Sequence, residues 1–178
     1  MYKKTPEPKN KAAKASALLT IICGAFLFVS ASGGAIPYPV IAQTCGIVFL
    51  TFSIYVAAVY LLKRYTFIVD DFGLTDSETE DYDFVITERR GKREIKVCHV
   101  SLKDIAFARE VNAKNKKDVT NDRKNKKRFT YDTQMWAARR IEIAIAYTDG
   151  GTDERISMLV TYDEELLNIL SKLGVEIK

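Results

Sequence analysis

ASALLTIICGAFLFVSAS (Ala15–Ser32), GGAIPYP (Gly33–Pro39) and VIAQTCGIVFLTFSIYVAAVYLL (Val40–Leu62) follow one another as 48 residues without a single Asp, Glu, Lys, Arg or His. As helices the two apolar runs would span about 27 Å and about 35 Å, against a hydrocarbon core of about 30 Å. Pro37 and Pro39 separate the runs, Gly33 and Gly34 end the first, and Tyr38 suits a membrane interface. The stretch therefore predicts a membrane hairpin, with spans over 15–32 and 40–62 of a segment running to residue 64.

Working outward, the charges fall unevenly. Up to Arg64 there are seven basic residues (Lys3, Lys4, Lys9, Lys11, Lys14, Lys63, Arg64) and one acid, Glu7. From Tyr65 onward there are 20 bases and 22 acids. The net charge of +4 thus belongs to the flanks of the apolar stretch and is no signature of nucleic-acid binding. Basic residues on both outer flanks and an uncharged turn between the spans predict a multi-pass protein of the cytoplasmic membrane, both termini cytoplasmic. Ser30-Ala31-Ser32 resembles a small-residue cleavage site, but the run is long for a signal sequence and a second span follows at once.

Residues 1–14, with two prolines and five lysines, are expected to form a mobile basic arm. Ala17, Gly24 and Ala31 recur at seven-residue spacing, and Ala42-x-x-x-Gly46 and Ser53-x-x-x-Ala57 follow in the second run. Such stripes allow close helix packing within the hairpin or in a homodimer. No ionisable group lies within the spans, which argues against a proton or ion path. Cys23, Cys45 and Cys98 form no paired framework and read as free thiols in a reducing compartment.

Residues 65–178 are long enough for one independent core and rich in strand patterns. Candidate strands are Tyr65–Asp70, Asp83–Glu88, Glu94–Val100, Ile105–Val111, Arg139–Tyr147 and Arg155–Thr161. Arg89-Arg90-Gly91-Lys92-Arg93 and Asp149-Gly150-Gly151 mark hairpin turns. Ile141, Ile143, Ile145 and Tyr147 share one face. Thr161-x-x-Glu164 has the spacing of a capping box, Leu166, Leu167, Ile169, Leu170 and Leu173 form a helical stripe, and Gly174 fits the stop. A mainly-β domain of six or seven antiparallel strands closed by one helix is expected.

The order of these features, with K-R-Y-T-F at the junction, D-D-F-G-L, V-S-L-K-D-I and the final Y-D-E-E-L-L-N-I-L, resembles small bacterial two-span membrane proteins carrying a pleckstrin-homology-like (PH-like) domain. The resemblance covers residues 15–178 and rests on layout. It implies a bent antiparallel sandwich or partial barrel with a C-terminal capping helix, on the cytoplasmic side. The insertion around 112–136 departs from that pattern, and the eukaryotic phosphoinositide motif does not map onto this chain.

That insertion holds the main candidate contact surface: Lys114, Lys116, Lys117, Arg123, Lys124, Lys126, Lys127 and Arg128, followed by Phe129, Tyr131, Met135 and Trp136. Basic and aromatic side chains in this mixture suit anionic lipid headgroups at the lipid bilayer or a protein partner; a solvated loop is the plain alternative. No RNA-binding motif accompanies the segment, so nucleic acid is disfavoured. The acidic run Asp70, Asp71, Asp76, Glu78, Glu80, Asp81, Asp83 lacks calcium-loop spacing and reads as solvated, so no metal is expected. Cys98 and His99 are adjacent in a strand, point to opposite faces and form no dyad. No catalytic or cofactor motif is present, so neither a catalytic residue nor a cofactor is nominated. The expectation is a non-enzymatic, membrane-tethered binding or scaffolding module. The alternatives are an accessory subunit joined to a membrane-protein partner through the hairpin, and a small membrane enzyme.

Overall fold

The computed structural model describes residues 2–6, 10–34, 37–71, 82–124, 126–149 and 152–178. The chain divides into two compact units. One is helical and comprises Pro8–Lys63 with Thr133–Trp136; the other is mainly β and comprises Met1–Glu7, Arg64–Asp132 and Ala137–Lys178.

The helical unit is built on α1 (Lys11–Ser32) and α2 (Pro39–Val56), the latter prolonged by a π-helical turn over Ala57–Leu61. Both helices are long and apolar enough to cross a membrane, each with a mean hydropathy of 2.0. Pro39 opens α2, where its missing N–H costs nothing and its fixed φ favours the helix. The pair packs through small side chains. Ala17, Thr20, Gly24, Ala31, Ala42, Gly46 and Ser53 are buried, while Leu18, Ile22, Phe26, Ile41 and Ile54 are exposed. At the crossing, a Cβ on Gly24 would lie 2.9 Å from the Gly46 carbonyl oxygen, and one on Gly46 equally close to that of Gly24. Ser53 Oγ donates to the Ala17 carbonyl at 3.0 Å, tying the two backbones where they approach.

The β unit contains β1 (Tyr2–Lys4), β2 (Lys63–Asp71), β3 (Tyr82–Arg90), β4 (Arg93–Ser101), β5 (Ile105–Val111), α3 (Lys116–Asp122), β6 (Lys127–Tyr131), β7 (Arg140–Asp149), β8 (Thr152–Thr161) and α4 (Glu164–Lys172). Two four-stranded sheets result, ordered β1-β2-β3-β4 and β5-β7-β8-β6. Alternation decides what each strand buries. Phe67, Phe84, Ile86, Ile141, Ile143, Met158 and Val160 form one core with Leu166 and Leu170 of α4. The hairpin of β3 and β4 turns at Gly91, whose φ of +59° suits a two-residue turn between the paired Arg90 and Arg93. Gly174, at φ +88°, stops the last helix as its position in the sequence suggests.

Three features differ from the sequence expectations, and a fourth fills in a segment whose strands the sequence left unassigned. Residues 2–4 are not a mobile arm: β1 pairs antiparallel with β2, Tyr2 opposite Val69. The reason is Tyr2 itself, which is buried and donates its hydroxyl to Asp163 at 3.1 Å, while Lys4 Nζ lies 2.8 Å from the same carboxylate. The last helix is capped by Asp163, which accepts from the Glu165 N–H at 3.0 Å. Thr161, the expected cap, instead donates its hydroxyl to Asp132 at 3.1 Å. The strands are not all antiparallel, because β6 runs parallel to β8, Lys127 opposite Ile156. Finally, the insertion is structured. It carries the chain from β5 at one edge of the second sheet to β6 at the other, through α3. The acidic residues Asp76, Glu78, Glu80 and Asp81, and the Gly150-Gly151 turn, lie outside the described residues.

Candidate functional site

The basic insertion begins with a side-chain lock. Asn112 Oδ1 accepts from the Lys114 N–H at 3.0 Å, and Asn115 Oδ1 accepts from the Asn112 N–H at 2.9 Å. These local bonds turn the chain into α3. Val119 is the apolar anchor of that helix, packed with Val111 and Leu159. The sheet face that meets α3 is the one opposite the main core, and it carries Glu142 and Ser157, both fully buried.

A polar chain links these groups. Glu142 accepts from Arg109 Nε at 2.6 Å and from Ser157 Oγ at 2.5 Å. Arg109 also reaches Asp122 on α3 at 2.8 Å. Ser157 Oγ in turn accepts from Arg123 Nε at 2.8 Å. Burial of a carboxylate this deep is tolerated because both oxygens are engaged and a guanidinium neutralises the charge. Burial lowers the pKa of Arg109, but the hydrogen bonds and charges of Asp122 and Glu142 outweigh it and raise the value.

The nine nominated residues occupy three settings. Lys114, Lys116, Lys117, Lys124, Lys127 and Arg128 are exposed on and around α3 and along the edge strand β6. Arg123 and Lys126 turn inward: Arg123 joins the polar chain above, and Lys126 Nζ lies 5.5 Å from the centre of the Phe107 ring. Trp136 stands in the helical unit and is 79% exposed, with a left-handed φ of 58°.

The residues just before Trp136 are held by Asn10. The Asn10 amide donates to the carbonyls of Tyr60 at 2.5 Å and Thr133 at 2.6 Å, and its oxygen accepts from the Met135 N–H at 3.1 Å. Met135 packs with Ala13, Ala17, Val56, Tyr60 and Leu61 at the N-terminal end of α1 and the C-terminal end of α2. A non-glycine residue in the left-handed region costs about 1–3 kcal/mol and persists only where its surroundings fix it. Sequence reading missed both Asn10 and Glu142. The only signal for Asn10 is a lone amide just before the apolar run; Glu142 sits within an alternating strand, where it reads as solvent-facing.

Elsewhere, Cys98 faces inward, its Sγ 3.4 Å from Met158 Sδ, and burial pushes its thiol up to about 11. His99 is exposed and lies 2.6 Å from Asp83. Among the described residues, no group of three or more His, Cys, Asp or Glu is gathered to hold a metal ion.

These observations define a class: a pair of apolar helices followed by a mainly-β domain of two sheets with a C-terminal helix. No protein-family model matches the chain, nor does any curated protein or solved structure.

Proposed function

We propose that the protein is a two-span, multi-pass protein of the cytoplasmic membrane whose PH-like β domain serves on the cytoplasmic side as a binding or scaffolding module. The observation that carries this function is the inverted surface of the helix pair, with small residues inside and Leu, Ile and Phe outside. In water that arrangement would leave a large apolar surface uncovered; in lipid it needs no cover. Lysines flanking the spans orient them inward. Two sheets closed by α4 support the PH-like assignment.

The exposed lysines and Arg128 around α3 and β6 contact anionic lipid headgroups. Each contributes about 1 kcal/mol near such a surface, and the tether keeps the segment at high effective concentration. Trp136 lies at the headgroup level, where an amphipathic ring is favoured. Its placement at the end of the helix pair that carries Lys11, Lys14 and Lys63 supports this position.

The test uses the full chain in phosphatidylcholine vesicles with and without phosphatidylglycerol. Trp136 is the only tryptophan, so its fluorescence reports its own depth. Emission should be blue-shifted and quenched by lipids brominated near the headgroup. Hydrogen exchange over 114–131 should slow in the anionic vesicles, and the protection should fade as salt shortens the Debye length to about 8 Å. A chain released from membranes by alkaline carbonate, or digested beyond Arg64 by protease outside intact cells, would overturn the membrane placement. Unchanged exchange after Lys124→Gln, Lys127→Gln and Arg128→Gln would remove the lipid contact.

A further inference from the structure

We propose that the cleft between α3 and the outer face of the second sheet binds a phosphate group carried on a small organic body. The cleft encloses about 330 Å³. Its walls combine apolar Val111, Val119 and Leu159 with cationic Lys116, Arg123 and Arg140.

The charges on and around these walls are unevenly matched. Arg140 has its carboxylate, Asp132, at 2.6 Å. Glu142 and Asp122 are both engaged by Arg109, at 2.6 and 2.8 Å. Arg123 receives only neutral acceptors: Ser157 Oγ at 2.8 Å, and the carbonyls of Phe129 and Ser157, each at 3.4 Å from Nη2. Its Nη1 has no partner among the described residues, and Lys116 forms no ion pair among them. Burial lowers the pKa of Arg123; Glu142 opposes the shift, and Arg128 and Arg140 add to it. A half-buried guanidinium thus bears its desolvation without a carboxylate of its own.

An anion in the cleft would restore the balance. Two cations without carboxylates favour a dianion over a monoanion, and the planar guanidinium fork fits two phosphate oxygens. The fork is already fixed, because Ser157 holds Nε while it donates to Glu142. The volume exceeds that of a bare inorganic ion, and the apolar walls would cover an attached organic group. Arg123 was nominated above for open contact with a membrane; the geometry turns it into this cleft instead. The site does not depend on the helix pair lying in a bilayer.

Phenyl phosphate, titrated by calorimetry into the full chain in neutral detergent at fixed ionic strength, should bind at a single saturable site. Arg123→Gln and Lys116→Gln should each weaken it by about tenfold or more. Lys116 is exposed, so Lys116→Gln should leave the melting midpoint unchanged and separate lost binding from lost folding. Benzoate, of similar body but a single charge, should bind far more weakly. Absent binding, equal binding of benzoate, or indifference to both substitutions would overturn the proposal. Nanodiscs then identify the source of the phosphate. Competition by phosphatidic acid in the disc assigns the site to a lipid headgroup; equal binding in discs with and without it assigns the site to a soluble phosphoester.

Discussion

The helical unit and the β unit sort the same residue types in opposite directions. In the β unit, Phe67, Phe84, Ile86, Leu166 and Leu170 are fully buried, and Lys114, Lys117 and Lys124 are exposed. In the helical unit, Ala17, Gly24, Ala31, Ala42, Gly46 and Ser53 are inside, and Leu19, Phe26, Val29 and Ile54 are 65, 68, 69 and 70% exposed. The driving forces differ accordingly. The β unit is held by removing apolar surface from water, worth about 25 cal/mol per Å². The helix pair is held by close backbone approach and by polar bonds such as Ser53 to Ala17. A hydrophobic residue therefore has no fixed structural meaning; its meaning depends on the solvent its element faces.

The sharpest way to break this contrast is a matched pair of truncations. Leu166→Ala should cost about 2–5 kcal/mol, by lost transfer energy and a cavity. Leu19→Ala should cost close to nothing with the helix pair in a bilayer, as proposed. Equal losses of thermal stability in vesicles would mean that both units bury apolar surface on the same terms.

The polar chain under α3 tests whether the β unit tolerates buried charge only because it is paired. Glu142→Leu strips Arg109 and Ser157 of a common acceptor and should cost about 2–3 kcal/mol. Adding Arg109→Met should recover part of that loss, since an apolar pair of similar volume restores compensation. Chemical denaturation of the full chain in detergent measures both.

In the helix pair the smallest side chains should matter most. Gly46→Ala places a Cβ 2.9 Å from a carbonyl oxygen and should weaken helix association by about 1–3 kcal/mol. Gly33→Ala meets nothing closer than 3.6 Å and should be neutral. The yield of a disulfide engineered by Ala17→Cys and Ser53→Cys, with Cys23 and Cys45 changed to serine, reports the difference.

The smallest effect is a pH dependence confined to the β unit. Burial, and then the charge and hydrogen bond of Glu88, push Tyr65 from 10.0 up to about 12. Below pH 10 the phenol is protonated in folded and unfolded chains alike, and its full contribution is present. Between pH 10 and about 12 the unfolded chain loses the proton first, so stability falls as pH rises. Tyr65→Phe should flatten that part of a melting-temperature profile taken from pH 9 to pH 12.

Much of this layout is legible in the residues. Missing charges mark the helices, alternation marks β3, β4, β7 and β8, and Gly91 and Gly174 mark turns by the backbone they permit. The candidate site is legible only as a composition. Lys124, Lys127 and Arg128 are exposed as a basic run suggests, but Arg123 differs from them in nothing the sequence displays. Its inward turn depends on Ser157, 34 residues away. Asn112 and Asn115 did offer a local signal for α3, since each bonds the backbone of its neighbours.

The sequence alone determined where the chain is long and apolar enough to cross a membrane, which strands alternate and where turns fall, because these follow from local chemistry and period. Only the tertiary structure decided that Tyr2 completes a sheet edge on Asp163, that Asn10 holds Thr133 and Met135, and that Glu142 is buried rather than solvated. Each of these rests on a partner more than 30 residues away along the chain or on a helix laid across a face. No local pattern encodes such a pairing, since it comes into being only when distant segments meet.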